Sequence, residues 1–129
     1  MSESTEKLKR VLSVGQCFAD HSAIARFLSD HFGATAIAVD SAGQAFEQAR
    51  RETFALILVN RVFDADGASG LEFIRAIKED DGLRTIPVML VSNYEDAQAQ
   101  AVRAGAVLGF GKAALSHPQA SARIEPFLR

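Results

Sequence analysis

The stretch Phe54–Asn60, FALILVN, decides the fold class of this chain. Five apolar residues in a row, Ala55–Val59, stop at an amide side chain, without the polar alternation of a sheet that faces water on one side. An uninterrupted run rich in Leu, Ile and Val predicts a strand covered on both faces, as in a parallel sheet. Ligands of such sheets bind outside the carboxyl ends of the strands, so Asn60 marks the place to look for function.

Short apolar runs alternate with helical patterns on both sides of this stretch. The other strands are expected at Arg10–Val14, Thr35–Val39, Ile86–Val91 and Val107–Phe110. Each is followed by apolar residues at helical spacing, so the chain alternates five strands with five helices. Right-handed crossovers leave few topologies for such a pattern. We predict an α/β, single-domain, doubly wound (βα)5 flavodoxin-like fold with a five-stranded parallel sheet in order 2-1-3-4-5.

The helix ends carry recognisable signals. Asp20 is the expected N-cap of the first helix, which should end at Phe32 before Gly33. Asp40-Ser41 is expected to cap the second helix, and Ser69 the third. Pro126 should end or kink the last helix, because proline cannot continue the hydrogen-bond ladder.

Composition indicates one globular domain of 129 residues, with a polar leader at 1–9 and the domain at 10–129. Hydrophobic residues make up 48% and charged residues 23%, and the net charge of -2 gives no argument for nucleic acid or an anionic membrane. No apolar run is long enough for a membrane span or a signal peptide. The single cysteine, Cys17, cannot form an internal disulfide. A cytoplasmic protein is therefore expected, without nucleic-acid or membrane partners.

Four segments carry a resemblance to a known family: FALILVN, SGLEFIRAIK, IPVMLVS and RAGAVLGFGK. In order and spacing the chain resembles the receiver domain of two-component response regulators, the CheY-like fold. The resemblance covers about Val11 to Lys112. Its most specific parts are Gly70-Leu71-Glu72, which opens the third helix, and Ile86-Pro87-Val88, which opens the fourth strand.

The resemblance implies a particular site. In receiver domains a histidine kinase transfers a phosphoryl group to an aspartate at the end of strand three, and two acidic residues after strand one help to bind Mg²⁺. A Ser or Thr after strand four and a Lys after strand five contact the phosphate. Here the acidic pair falls on Gly15 and Gln16, the phosphoacceptor on Asn60, the hydroxyl on Ser92 and the lysine on Lys112.

Three missing carboxylates change the expected chemistry. An amide is not a competent nucleophile, and Mg²⁺ prefers oxygen ligands that usually include carboxylates. We expect no phosphorylation at Asn60, no usual Mg²⁺ site, no cofactor and no enzymatic activity. The chain resembles a degenerate receiver, or pseudo-receiver, of two-component or phosphorelay signal transduction that signals by protein–protein interaction.

The resemblance also implies partners and a surface. A histidine kinase or an output domain or protein is expected to bind, and a homodimer is possible for this family. The output surface of receivers is the face of helix four, strand five and helix five. In this chain that face would include Ala97, Ala101, Arg103, Phe110, Ala114 and Leu115. The aromatic position on strand five falls on Gly109, with Phe110 one residue later.

Two alternatives stay open at the level of sequence. Asp64 or Asp66, in a loop about two residues longer than usual, or Asp20 could replace the lost carboxylates and restore an atypical phosphoacceptor with Mg²⁺. The simpler expectation is that Asp64 or Asp66 pairs with Lys112. A flavin-binding electron carrier of the flavodoxin type is disfavoured, because one Tyr and no Trp leave little for stacking a flavin.

Overall fold

A computed structural model describes residues 9–128; Arg129 and the first eight residues of the expected leader lie outside the described residues. The strands are β1 (Arg10–Val14), β2 (Thr35–Val39), β3 (Leu56–Asn60), β4 (Val88–Val91) and β5 (Val107–Phe110). The helices are α1 (Phe18–Phe32), α2 (Ala42–Arg51), α3 (Gly70–Lys78), α4 (Glu95–Arg103) and α5 (Pro118–Leu128), with a 3-10 turn at Lys112–Ala114. All strand pairs are parallel, in the order β2-β1-β3-β4-β5, which confirms the predicted fold.

The β3 strand lies in the middle of the sheet and is buried on both faces. Ile57 and Val59 face the core cluster that contains residues of α2, α3 and α4, whereas Leu56 and Leu58 face the cluster that contains residues of α1 and α5. Burying each such side chain contributes about 1.5–3 kcal/mol. This double coverage explains the uninterrupted apolar run, and it fixes Asn60 at the open end of the central strand.

The start of α1 differs from the prediction, and the difference matters for the site. The N-cap is Cys17, whose Sγ accepts a hydrogen bond from the backbone N–H of Asp20 at 3.5 Å. Asp20 therefore lies inside the first turn, and its carboxylate is free for another partner. Ser41 and Ser69 cap α2 and α3 as expected.

The last helix does not end at Pro126. It runs through Pro126 to Leu128. A proline in the final turn removes only one backbone hydrogen bond near an end where carbonyl groups already lack partners. The buried side chains of Ala120, Ile124 and Leu128 hold the helix against the sheet.

A bulge lies between β4 and β5. Met89 is opposite Val107 and Val91 is opposite Phe110, so Leu108 and Gly109 together face Leu90. A Cβ on Gly109 would lie 2.1 Å from the carbonyl oxygen of Leu90, so only glycine fits there. Within residues 9–128, no helix has the length and apolar character needed to cross a membrane.

Candidate functional site

A crevice of about 310 Å³ opens at the carboxyl ends of the central strands. Its walls come from the ends of β3 and β4 and from the turn after β5, and its lining residues are Asn60, Arg61, Val62, Val91, Ser92, Asn93, Tyr94 and Lys112. The fold therefore brings together three of the predicted site residues, Asn60, Ser92 and Lys112. Gly15 contacts Asn60 through its carbonyl group, and Gln16 does not line the crevice.

The amide of Asn60 has a partner for each of its hydrogen-bonding atoms. Its Nδ2 donates to the carbonyl oxygens of Gly15 at 3.0 Å and Val62 at 2.8 Å, and its Oδ1 accepts from the backbone N–H of Arg61 at 3.0 Å. A carboxylate could make only the last of these contacts, because it has no hydrogen to donate. Asn60 thus cross-links the loop after β1 to the loop after β3.

The ring of Phe63 fills the space beside Gly15. Phe63 is 1% exposed, and a Cβ on Gly15, whose φ is +77°, would lie 2.2 Å from this ring. The ring also packs edge-on against Phe73, with centroids 6.2 Å apart. Sequence reasoning missed Phe63, although one aromatic residue among turn residues signals a loop that contributes to the core.

Gln16 stands at the other position where the resemblance to receiver domains implies a carboxylate. The residue is 7% exposed, and neither its Oε1 nor its Nε2 has a hydrogen-bond partner within the described part of the chain. Among residues 9–128, no group of three or more His, Cys, Asp or Glu side chains lies together as a metal site would require. The amide oxygens of Gln16 and Asn60 and the ring of Phe63 do not form the anionic ligand set that Mg²⁺ prefers.

The carboxylates of the loop after β3 do not line the crevice. The loop closes on itself through an isolated antiparallel bridge between Val62 and Ser69. Asp64 and Asp66 are exposed, and Asp66 Oδ1 accepts from the backbone N–H of Ala68 at 3.0 Å. This is the turn role that short acidic side chains commonly have.

The ion-pair partner of Lys112 is Asp20, so the expected pairing with Asp64 or Asp66 is wrong. Lys112 Nζ lies 2.5 Å from Asp20 Oδ2, and about a third of each side chain is exposed. The hydrogen bond from Lys112 lowers the pKa of the Asp20 carboxyl below its usual 3.8. The pair forms because Cys17 caps α1 and leaves the carboxylate of Asp20 available.

Ser92 and Asn93 fix the opposite wall. Ser92 is 7% exposed, and its Oγ accepts from the backbone N–H of Tyr94 at 3.1 Å. Asn93 Oδ1 accepts from the backbone N–H of Ala113 at 3.2 Å and lies where a Cβ on Gly111 would be. These contacts hold the turn that carries Lys112 beside the crevice.

The expected partner surface needs correction at Ala101 and Phe110. Ala101 is fully buried against the sheet, and Phe110 is 2% exposed because the bulge in β5 turns it into the core next to α1 and α5. Ala97, Ala114 and Leu115 are half-buried, whereas Arg103 is exposed. Arg103 lies on the side of α4 that faces α3, beside Leu71 and Arg75. Val102 on α4 and Leu108 on β5 are exposed large apolar side chains that the expected surface did not include.

Gln98 is a further residue that the sequence did not reveal. Its buried Nε2 donates to the carbonyl oxygens of Leu90 at 2.9 Å and Ser92 at 3.1 Å, and its Oε1 accepts from the backbone N–H of Gly109 at 3.1 Å. It therefore ties α4 to the bulge between β4 and β5. The available signal was a glutamine three residues before Ala101, on the stripe of α4 that faces the sheet.

The strand order and the crevice define the class of fold: the doubly wound, CheY-like fold of response-regulator receiver domains. The BeF3-activated N-terminal receiver domain of Klebsiella pneumoniae RstA superposes with a TM-score of 0.77 at 20% identity, over 93% of this chain and 98% of that one. A sensor protein from Polaromonas sp. JS666 gives a TM-score of 0.78 at 19% identity, over 92% and 94% of the two chains.

A longer protein contains the same fold in one part of its chain. NtrX from Brucella abortus matches with a TM-score of 0.71 at 19% identity, over 91% of this chain, which spans only 27% of that protein. No protein-family model and no curated protein matches the chain. At sequence identities this low, these matches show that the chains share a fold.

Proposed function

We propose that this chain is a receiver-like, cytoplasmic signalling module of the two-component type that is not phosphorylated at Asn60, does not use Mg²⁺ and acts by binding other proteins. The observation that carries the proposal is the position of the Asn60 amide. Its Nδ2 donates to two backbone carbonyl groups, so its role is structural and requires a neutral donor. An amide nitrogen in these bonds cannot attack a phosphoryl group.

The surroundings of Asn60 support the absence of phosphotransfer. Phe63 fills the space next to Gly15, and Gln16 offers an uncharged amide where receivers carry a carboxylate. Lys112, which contacts the phosphate in receivers, forms an ion pair with Asp20. The protein would then keep one conformation at this site until a partner changes it.

The partner surface proposed here is the exposed part of the α4, β5 and α5 face. It comprises the exposed side chains of Val102 and Leu108; Arg103 lies on the side of α4 that faces Leu71 and Arg75 of α3. Arg123 lines the cavity between α4, β5 and α5 beside Leu108, and arginine is enriched among the energetically dominant residues of protein interfaces. A histidine kinase, an output protein or a second copy of the chain would bind there.

The test is a titration of Mg²⁺, followed by beryllofluoride, into isotopically labelled protein. We expect the amide signals of Asn60, Ser92 and Lys112 to stay unchanged at millimolar Mg²⁺. Mass spectrometry after incubation with acetyl phosphate should find no added phosphoryl group. A phosphorylatable receiver domain treated in parallel serves as the positive control.

Saturable shifts around Asp64 and Asp66 would contradict the proposal and favour the alternative acceptor in the loop after β3. The matched variants are Asp64→Asn and Asp66→Asn. Loss of the shifts in only one of them would identify the acceptor. The variant Asp30→Asn removes an equal charge from an exposed position on α1 and should have no effect.

A further inference from the structure

The crevice contains cations and hydrogen-bond donors but no carboxylate. Its titratable lining residues are Arg61, Lys112 and Tyr94, and no Asp or Glu of the described chain lines it. Asp20 neutralises Lys112 from outside this lining, so Arg61 supplies the net charge. A lining of this charge attracts an anion more than a cation.

Several donors in the crevice have no acceptor in residues 9–128. The guanidinium of Arg61 forms no ion pair or hydrogen bond in this region and stacks on the ring of Tyr94, with its Cζ 4.8 Å from the centroid. Ser92 Oγ accepts from Tyr94, which leaves its hydroxyl hydrogen available. Arg61 and Ser92 thus present charged and neutral donors to one space, an arrangement that suits an oxyanion.

A second cavity, of about 430 Å³, adjoins the crevice. The two cavities share Arg61, Val62 and Tyr94. The walls of the second cavity include Leu71, Leu90 and Ala97, so it offers an apolar surface. Together the cavities are in the size range of small-molecule sites, which are mostly apolar with a few placed polar groups.

We propose that these two cavities form one binding site for a small amphipathic anion, with an oxyanion head in the crevice and an apolar body in the second cavity. Asp96, which lines the second cavity, sets the orientation by repelling the head group. Arg61 binds the head, and Tyr94 provides a flat surface at the junction. The site needs no metal ion, and it rests on the proposed function in one respect: a phosphoryl group on Asn60, which lines the crevice, would occupy the space of the head group.

The experiment uses 2-naphthyl phosphate as the probe, titrated into labelled protein in EDTA at constant ionic strength. We expect saturable shifts at Arg61, Ser92 and Tyr94 and at Leu71 and Ala97. Inorganic phosphate should shift only the first three and bind about tenfold more weakly, because it buries no apolar surface. Shifts that do not saturate, or equal affinities for the two probes, would overturn the proposal.

Two variants that each remove one positive charge distinguish binding at this site from nonspecific electrostatic attraction of the probe. Arg61→Gln should weaken binding of 2-naphthyl phosphate about tenfold or more, since a charge-assisted hydrogen bond is lost. Arg51→Gln, at an exposed position in the last turn of α2, should leave the affinity unchanged. Equal weakening by both variants would mean that the probe responds only to net charge, and the site would be rejected.

A third variant tests the second cavity. Ala97→Leu fills space beside Leu71 and Leu90, so it should weaken binding of 2-naphthyl phosphate several-fold and leave binding of inorganic phosphate unchanged. Equal effects on both probes would contradict the division into head and body. A negative result here would not affect the proposed signalling role, which is tested with Mg²⁺ and beryllofluoride.

Discussion

The two sides of the crevice differ in how their side chains are used. On the side of β1 and β3, Asn60 is fully hydrogen bonded to backbone and Phe63 covers Gly15. On the side of β4 and β5, Ser92 and Lys112 line the open crevice, and Lys112 forms an ion pair with Asp20. The first side is packed like protein interior, whereas the second lines an open crevice. Placing carboxylates on the first side would therefore require a change in packing as well as in charge.

Removal of the Phe63 ring should produce the largest effect. Phe63→Ala is expected to lower the free energy of unfolding by about 3–5 kcal/mol, because it leaves a cavity against Gly15 and Phe73. Urea unfolding followed by circular dichroism measures this value. The control is Phe18→Ala: Phe18 is 87% exposed, so its loss should cost within about 0.5 kcal/mol. Similar midpoints for the two variants would show that Phe63 does not support this side of the crevice.

A carboxylate at position 60 should also destabilise the protein. Asn60→Asp places an anionic oxygen against the carbonyl oxygens of Gly15 and Val62, with an expected cost of about 2–3 kcal/mol at neutral pH. Asn93→Asp is the matched control, because Asn93 uses its Oδ1 as an acceptor from Ala113 and a carboxylate can do the same. Equal stability of the two variants at neutral pH would contradict the structural role of the Asn60 amide.

The pH dependence of Asn60→Asp provides a second measurement. The carbonyl oxygens around position 60 should raise the pKa of the introduced carboxyl in the folded state. The free energy of unfolding of Asn60→Asp should therefore fall below that of the wild type as the pH rises through about 4, the pKa of an unfolded aspartate. Below that pH the difference should disappear. A deficit that is constant between acid and neutral pH would indicate a steric cause.

The central sheet could be predicted because its signal is local. The β3 run is apolar on both faces, and the chain alternates strands with helices, so strand order follows from general topology. That order brings Asn60, Ser92 and Lys112 together, since the carboxyl ends of parallel strands share one edge. The end of β3 was enough to predict where the crevice lies, and the resemblance to receiver domains pointed to Ser92 and Lys112.

The contacts around this crevice could not be predicted because they depend on choices of one or two residues. Capping by Cys17 instead of Asp20 decides the partner of Lys112, although sulfur is a weaker acceptor than a carboxylate. The bulge at Gly109 turns Phe110 inward, which an alternating pattern does not reveal; glycine inside a strand is the only signal for it. Phe63 enters the core from a loop whose path is set by tertiary packing.

The smallest effect on stability is expected when the ion pair between Asp20 and Lys112 is broken. This ion pair links the two sides of the crevice. Asp20→Asn should lower the free energy of unfolding at neutral pH by about 0.5–1 kcal/mol, because both side chains are about one third exposed and water weakens the attraction. Lys112 lowers the pKa of the Asp20 carboxyl in the folded protein. The stabilisation is therefore complete above the usual value of 3.8 and is lost as the pH falls below it.

Stability curves of wild type and Asp20→Asn should accordingly differ at neutral pH and converge in acid. Asp30→Asn, an exposed position on the same helix, is the control and should follow the wild type throughout. Convergence specific to Asp20→Asn would mean that the loop after β5 is held by α1 and not by a phosphate. If the two variants gave the same curve, Lys112 would be free to move, and the side of β4 and β5 would lack the fixed geometry that distinguishes it here.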